Sequence, residues 1–281
     1  MIPGSLPPGL ALVRTEFSLI GEVAIVTGVC GRLGPIWAAA LLEAGASVVG
    51  IDIHEDAGRT LKDAGLPACA GKYIGIQADV TERSSLYDAL AVFLNQVGPP
   101  SILVNNAGID RPPSAEGETW RFEDMPEELS ASVLEVNAVG VLRACQVYGP
   151  EMVRRRRGSI INIGSLYGIV APDPRLYAHL ESDPPFLKPP AYGMSKAGVG
   201  ALTRYLAALW GRHGVRVNTL SPGGVLGNQD PLFQQKFTDR VPMGRMATAE
   251  DLTGPLLFLA SDLSSYVNGT ELVVDGGYVC W

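Results

Sequence analysis

From Gly21 onward, short β-branched apolar runs alternate with longer amphipathic stretches, and this rhythm restricts the chain more than any other feature. Runs of that kind suit strands buried on both faces of a parallel sheet, and the intervening stretches are long enough to be crossover helices. Strands are expected near 23–27, 47–52, 73–77, 101–104, 159–163, 215–220 and 271–274. Helices are expected near 33–45, 55–64, 82–97, 127–155, 191–212 and 249–260. The pattern predicts an α/β fold, a single Rossmann-type doubly wound domain over residues 19–281 with a seven-stranded parallel sheet flanked by helices. In such a sheet the ligand crevice opens at the carboxyl ends of the strands.

Composition narrows the function classes. With 281 residues, 47% of them hydrophobic, the chain can bury one large core without a second domain. A formal charge of −7 argues against nucleic-acid binding, which needs a basic face, and directs attention to small molecules. Cys30, Cys69, Cys145 and Cys280 form no C-x-x-C pair, and His54, His179 and His213 are scattered, so neither disulfides nor a catalytic metal are expected. No apolar segment has the length to span a bilayer. Residues 1–18, with Pro3, Pro7 and Pro8, lack the basic and long apolar regions of a signal peptide and are expected to form an N-terminal arm. A soluble, cytoplasmic protein is the expectation.

Two motifs carry chemistry. The turn TGVCGRLG at 27–34 follows the first expected strand and opens a helix, with Gly28, Gly31 and Gly34 letting backbone approach a pyrophosphate. A tight turn without a ligand would use the same glycines, but Asp52 ends the second strand about 20 residues on, where a carboxylate accepts from ribose hydroxyls and repels a 2′-phosphate. That favours NAD over NADP. Arg32 complicates the choice, since its guanidinium could contact a phosphate of either dinucleotide. The second motif is AYGMSKAG, which sets Tyr192 and Lys196 one helical turn apart. Alone this reads equally as a surface pair; beside a dinucleotide turn it reads as a phenol whose ionisation an ammonium assists. Ser165 ends the strand SIINIGS, where its hydroxyl can bond a substrate oxygen.

These residues, with Asp79-Val80, NNAG at 105–108, Asn137 and SPGGV at 221–225, resemble the short-chain dehydrogenase/reductase family, single-domain type, across residues 19–281. The resemblance implies a catalytic tetrad of Asn137, Ser165, Tyr192 and Lys196, with Asn137 anchoring a water that relays protons. It implies a cofactor surface of Gly28, Gly31, Arg32, Leu33, Gly34, Asp52 and Ile53, then Asp79 and Val80 at the adenine. Asn106, Ala107 and Gly108 would line the ribose side, and Pro222, Gly223 and Val225 would meet the carboxamide, with Tyr192 and Lys196 completing the set. The implied function is an NAD-dependent oxidoreductase interconverting a secondary alcohol and a ketone on a small polar, sugar-derived molecule, assembled as a dimer or tetramer. An NAD-retaining epimerase or dehydratase, and a non-catalytic NAD-binding protein, are the alternatives.

Three features depart from the family pattern. Arg32 stands where most single-domain members place glycine, and Gly227 where a threonine commonly follows the PGxV segment. The proline-rich segment 171–191 is longer than the usual connection and carries Arg175, Tyr177, His179, Phe186 and Lys188 as potential substrate contacts, or else packs as a rigid excursion. That segment and the terminal VDGGYVCW resemble dehydrogenases associated with flagellin and surface-sugar modification. Residues 224–245 are a second lid candidate, offering Asn228, Gln229 and Arg245. Arg154 to Arg157 are expected to be a solvated helix end, Trp37 and Trp210 to pack on the sheet, and the tail through Trp281 to be buried at a subunit contact.

Overall fold

All seven expected strands form one parallel sheet: β1 (Val23–Thr27), β2 (Ser47–Asp52), β3 (Tyr73–Gln77), β4 (Ile102–Asn105), β5 (Gly158–Ile163), β6 (Val215–Pro222) and β7 (Glu271–Val274). The computed structural model describes residues 17–58, 71–112 and 118–281. Residues 1–16 of the expected arm, the later part of the helix expected at 55–64, and Cys69 lie outside the described residues. The spatial order is β3-β2-β1-β4-β5-β6-β7, with every pairing parallel. Strand order therefore reverses between β1 and β4, and a doubly wound sheet binds its ligand at that switch point.

Helices α1 (Gly34–Glu43), α2 (Arg83–Leu94), α3 (Glu127–Leu134), α4 (Gly140–Arg155), α5 (Pro190–Trp210), α6 (Pro231–Thr238) and α7 (Glu250–Ala260) complete the described fold. On one face Ile25, Val49, Leu103, Ile160 and Val217 pack beneath Leu86, Phe93 and Tyr148. On the other, Ala24, Val26, Val48, Val104 and Ile161 pack against Trp37, Leu41, Leu256 and Leu259. Burying each such side chain contributes about 1.5–3 kcal/mol, enough to fix the strand ends that carry the site.

Two local features differ from the expectation. The single helix expected at 127–155 is interrupted by a π turn, Glu135–Val139, with Asn137 inside it. A π turn takes up one residue beyond the α-helical repeat, and such turns are frequent at functional sites. Helix α6 was not expected; Asp230 caps it by accepting from the amides of Leu232 (2.9 Å) and Phe233 (3.0 Å), and Pro231 opens it. The arginine run does end a helix. Arg156 takes a left-handed φ of 54° as its cap, and Arg157 pairs with Glu22 at 2.5 Å.

Candidate active site

The glycine turn is shaped by close backbone approach. Gly28 has φ +67°, and a Cβ there would lie 2.7 Å from Ala107 Cα; a Cβ on Gly34 would lie 2.3 Å from the Gly28 carbonyl oxygen. A side chain at Gly28 would push the glycine turn away from the turn after β4, and one at Gly34 would push α1 away from the glycine turn itself. The Asn106 amide locks the same junction, donating to the Thr27 and Gly28 carbonyls (both 3.0 Å) while accepting from Trp37 Nε1 at 2.8 Å. Trp37 thus packs against the sheet and also braces a turn.

Around this junction opens a cleft of about 1750 Å³, lined by Gly28, Gly31, Arg32, Leu33, Asp52, Ile53, Asp79, Val80, Asn106, Ala107 and Gly108 on one side. Ser165, Tyr192, Lys196, Pro222, Gly223 and Val225 line the other side. Gly34 lies just behind, at the start of α1. Each Asp52 carboxylate oxygen already accepts one backbone amide, from Cys30 (2.8 Å) and from His54 (3.1 Å), and retains a lone pair directed outward. Asp79 accepts from the Thr81 amide and hydroxyl, both at 2.8 Å, which fixes the turn after β3. The Arg32 guanidinium donates to the Val225 carbonyl at 2.7 Å, spanning from the glycine turn to the loop after β6. This elongated, glycine-floored channel fits a dinucleotide: amides and a helix start for the pyrophosphate, carboxylate at one end, Ser165 and Tyr192 at the other.

At that far end, Ser165 leaves β5 and accepts the Tyr167 amide at 3.2 Å. Tyr192 and Lys196 lie on the first turns of α5, Tyr192 half-buried and Lys196 only 6% exposed. Burial is the main force raising the Tyr192 phenol, with the Asp110 carboxylate adding to it and the Ser165 hydroxyl opposing it, to a pKa of about 12. Burial also lowers Lys196 to about 8, with Asp110 partly offsetting it. The expected ionisation of the phenol by its lysine neighbour is therefore reversed in the unliganded chain. Lys196 Nζ donates to the Ile163 carbonyl at 2.9 Å and stands 5.7 Å from the ring centroid, too far to outweigh dehydration of the phenolate.

Asn137 is fully buried, but its amide is committed. Its Oδ1 accepts the Ile109 amide at 2.7 Å, and its Nδ2 donates to the Ile109 carbonyl (2.9 Å) and to Ser195 Oγ (3.3 Å). This side chain ties the β4 loop to the helix bearing Tyr192.

The inserted segment packs over the cleft mouth. Tyr177 and Phe186 enter an aromatic cluster with Phe233 and Phe237 of α6 and with Tyr278, and both also line the cleft. His179 reaches the α6 cap, 2.8 Å from Asp230. Arg175 folds back onto Asp173 and Arg245 onto Asp251, and neither lines the cleft. Gln229 ties its own loop together through Gly227 and Val225. Lys188 also lines the cleft, and it bonds both oxygens of Asp110, at 2.8 and 2.7 Å. Asp110 was missed because its partner is 78 residues away, and two polar residues after NNAG give no signal of pairing. At the tail, Tyr278 is buried against Phe237 within the same chain, while Trp281 is 78% exposed.

A family model described as enoyl-(acyl carrier protein) reductase matches residues 32–279. Galactitol 2-dehydrogenase (L-tagatose-forming) of Cereibacter sphaeroides is 36% identical over 95% of this chain and 99% of its own length. D-threitol dehydrogenase of Mycolicibacterium smegmatis is 33% identical over 95% and 96%. The crystal structure of a gluconate 5-dehydrogenase from Burkholderia cenocepacia, in complex with NADP and tartrate, superposes with a TM-score of 0.79 at 31% identity, covering 95% of this chain and 98% of that one. The chain belongs to the short-chain dehydrogenase/reductase family. It is a nicotinamide-dependent oxidoreductase acting on CH–OH groups.

Proposed function

We propose that this protein interconverts a secondary alcohol and a ketone on a small, polyhydroxylated, sugar-derived molecule, with NAD preferred to NADP. The observation that carries the reading is the convergence of Ser165, Tyr192 and Lys196 at one end of a cleft whose other end is the glycine turn and Asp52. The names of the relatives, which oxidise galactitol and threitol, support the substrate class.

When bound, the nicotinamide accepts or returns the hydride. The chain's residues handle the rest. Ser165 donates to the substrate oxygen and holds it beside Tyr192. As the phenolate, Tyr192 takes the hydroxyl proton during oxidation and becomes the phenol; as the phenol, it gives that proton to the ketone oxygen during reduction and becomes the phenolate. Lys196, when protonated, offsets the charge on the phenolate, and its ammonium would be a donor to hydroxyls of a bound cofactor beside the contact to Ile163. Asn137 positions Ile109 and α5 without touching the reacting atoms.

Cofactor preference follows from Asp52 and Arg32 together. A 2′-phosphate would meet the Asp52 carboxylate, and the cation that could have neutralised it points across the cleft to Val225. Assays of polyol oxidation by absorbance of the reduced nicotinamide, run in parallel with NAD and NADP, test both parts. Oxidation of galactitol or threitol with a preference for NAD is expected. No turnover of any polyol with either dinucleotide would refute the reading.

A further inference from the structure

Asp110 and Lys188 carry neither the hydride nor the transferred proton, but they form a wall of the reacting end of the cleft, where the Asp110 carboxylate also bears on the ionisation of Tyr192 and Lys196. Asp110 follows β4, beyond Gly108, and Lys188 comes from the inserted segment, two residues before α5. The Lys188 side chain is only 5% exposed, and that of Asp110 is 38% exposed. Lys188 Nζ stands 5.0 Å from the Tyr192 ring centroid and 5.7 Å from that of Tyr167. Of the two lysines beside Tyr192, Lys188 is the nearer to its ring. Both residues of the pair line the same cleft as Ser165.

A lysine this enclosed needs a partner, and the Asp110 carboxylate supplies one. The pairing leaves capacity over. The ammonium has three donors, of which two are used; Asp110 Oδ1 also accepts the Arg111 amide at 2.8 Å, so it is Oδ2 that keeps a further lone pair. We propose that Asp110 and Lys188 are specificity residues that hold the hydroxyl on the carbon next to the reacting one, so that the substrate is a neutral vicinal polyol or the matching hydroxyketone. A hydroxyl donates one hydrogen bond and accepts others, and the pair offers an acceptor and a donor at adjacent points. The pair carries no net charge, so it gives a sugar acid no net attraction. A monofunctional alcohol leaves both groups unbonded to substrate and gains nothing from them. The pair thus selects by the second hydroxyl.

This rests on the dehydrogenase reading above, and its test separates the two. Steady-state kcat/KM with NAD is measured for 2-butanol, 2,3-butanediol, galactitol and gluconate in wild type, Asp110→Asn, Lys188→Met and Lys188→Arg. Wild type is expected to favour 2,3-butanediol over 2-butanol at least about 10-fold, the scale of a hydrogen bond to a charged group, and galactitol over gluconate. In Asp110→Asn and Lys188→Met that diol preference is expected to collapse to within about threefold, while Lys188→Arg keeps most of it. Dinucleotide affinity, read by fluorescence, is expected to stay within about threefold of wild type, since neither residue belongs to the cofactor channel. A general loss from misplaced catalytic groups would lower all four substrates alike and leave the ratio standing. An unchanged ratio in both variants, a wild type without diol preference, or gluconate preferred to galactitol overturns the pair while leaving the dehydrogenase reading in place. Oxidation of none of the four by wild type overturns both.

Discussion

The Arg32 guanidinium occupies the space that a side chain at position 227 would need: a Cβ on Gly227 would lie 2.3 Å from Nη2 and 2.6 Å from Cζ. Arginine in the glycine turn and glycine in the loop after β6 are both unusual for the family, and here each makes room for the other. Their joint product is a tie across the cofactor channel, Arg32 to the Val225 carbonyl.

This compensation predicts a specific double-mutant cycle. Gly227→Thr alone should displace the guanidinium and weaken dinucleotide binding about 10-fold, whereas Arg32→Gly combined with Gly227→Thr should recover most of that loss. The coupling expected for residues in contact is about 1–2 kcal/mol, read from dinucleotide titrations of the four proteins. Strict additivity would mean that the two positions do not share the space.

Asp52 has a structural task as well as a recognition task. Asp52→Ala should raise the KM for NAD about 10-fold, improve NADP relative to NAD, and lower the melting temperature, since the Cys30 and His54 amides lose their acceptor. Asp52→Asn retains an acceptor oxygen and should keep more of the stability while still relaxing the preference. Kinetics with both cofactors beside thermal melts separate the two tasks; a variant that remains equally selective for NAD removes the carboxylate from cofactor choice.

Lys196 is held at a cost to stability. Its folded-state pKa of about 8 lies below the 10.5 of an unperturbed lysine, so the unfolded chain binds this proton more tightly. Stability linked to this group therefore rises with pH between about 8 and 10.5, and below about 8 the fold carries the full penalty, on the order of 3 kcal/mol. Lys196→Met should be inactive and yet melt higher than wild type at pH 7, with the gap closing by pH 10.5. A gap that does not vary with pH would show that Lys196 is not desolvated in this way.

Much of the fold was legible because β-branched runs such as Val23–Thr27 and Ser47–Asp52 have few alternatives once they recur between helical stretches. The strand ends then placed the glycine turn, Asp52, Ser165 and Tyr192 on one edge before any coordinates were known. Helix α6 carried its own signal, Asp230 followed by Pro231, which is obscured by the polar residues around it. The π turn at Asn137 left no mark, because one extra residue within a helix shifts periodicity less than ordinary composition does. Titration was the least legible. Sequence spacing suggested that Lys196 would ionise Tyr192, but the result depends on burial and on Asp110, both set by tertiary packing.

The claim that Tyr192 is the proton-transfer group is tested most directly by single-turnover oxidation of galactitol in Tyr192→Phe, with NAD binding measured on the same protein. The account predicts that the rate falls at least about 100-fold while the dinucleotide Kd stays within about threefold, because only the phenolic oxygen is removed. A variant that binds NAD and oxidises the alcohol at the wild-type rate would contradict it.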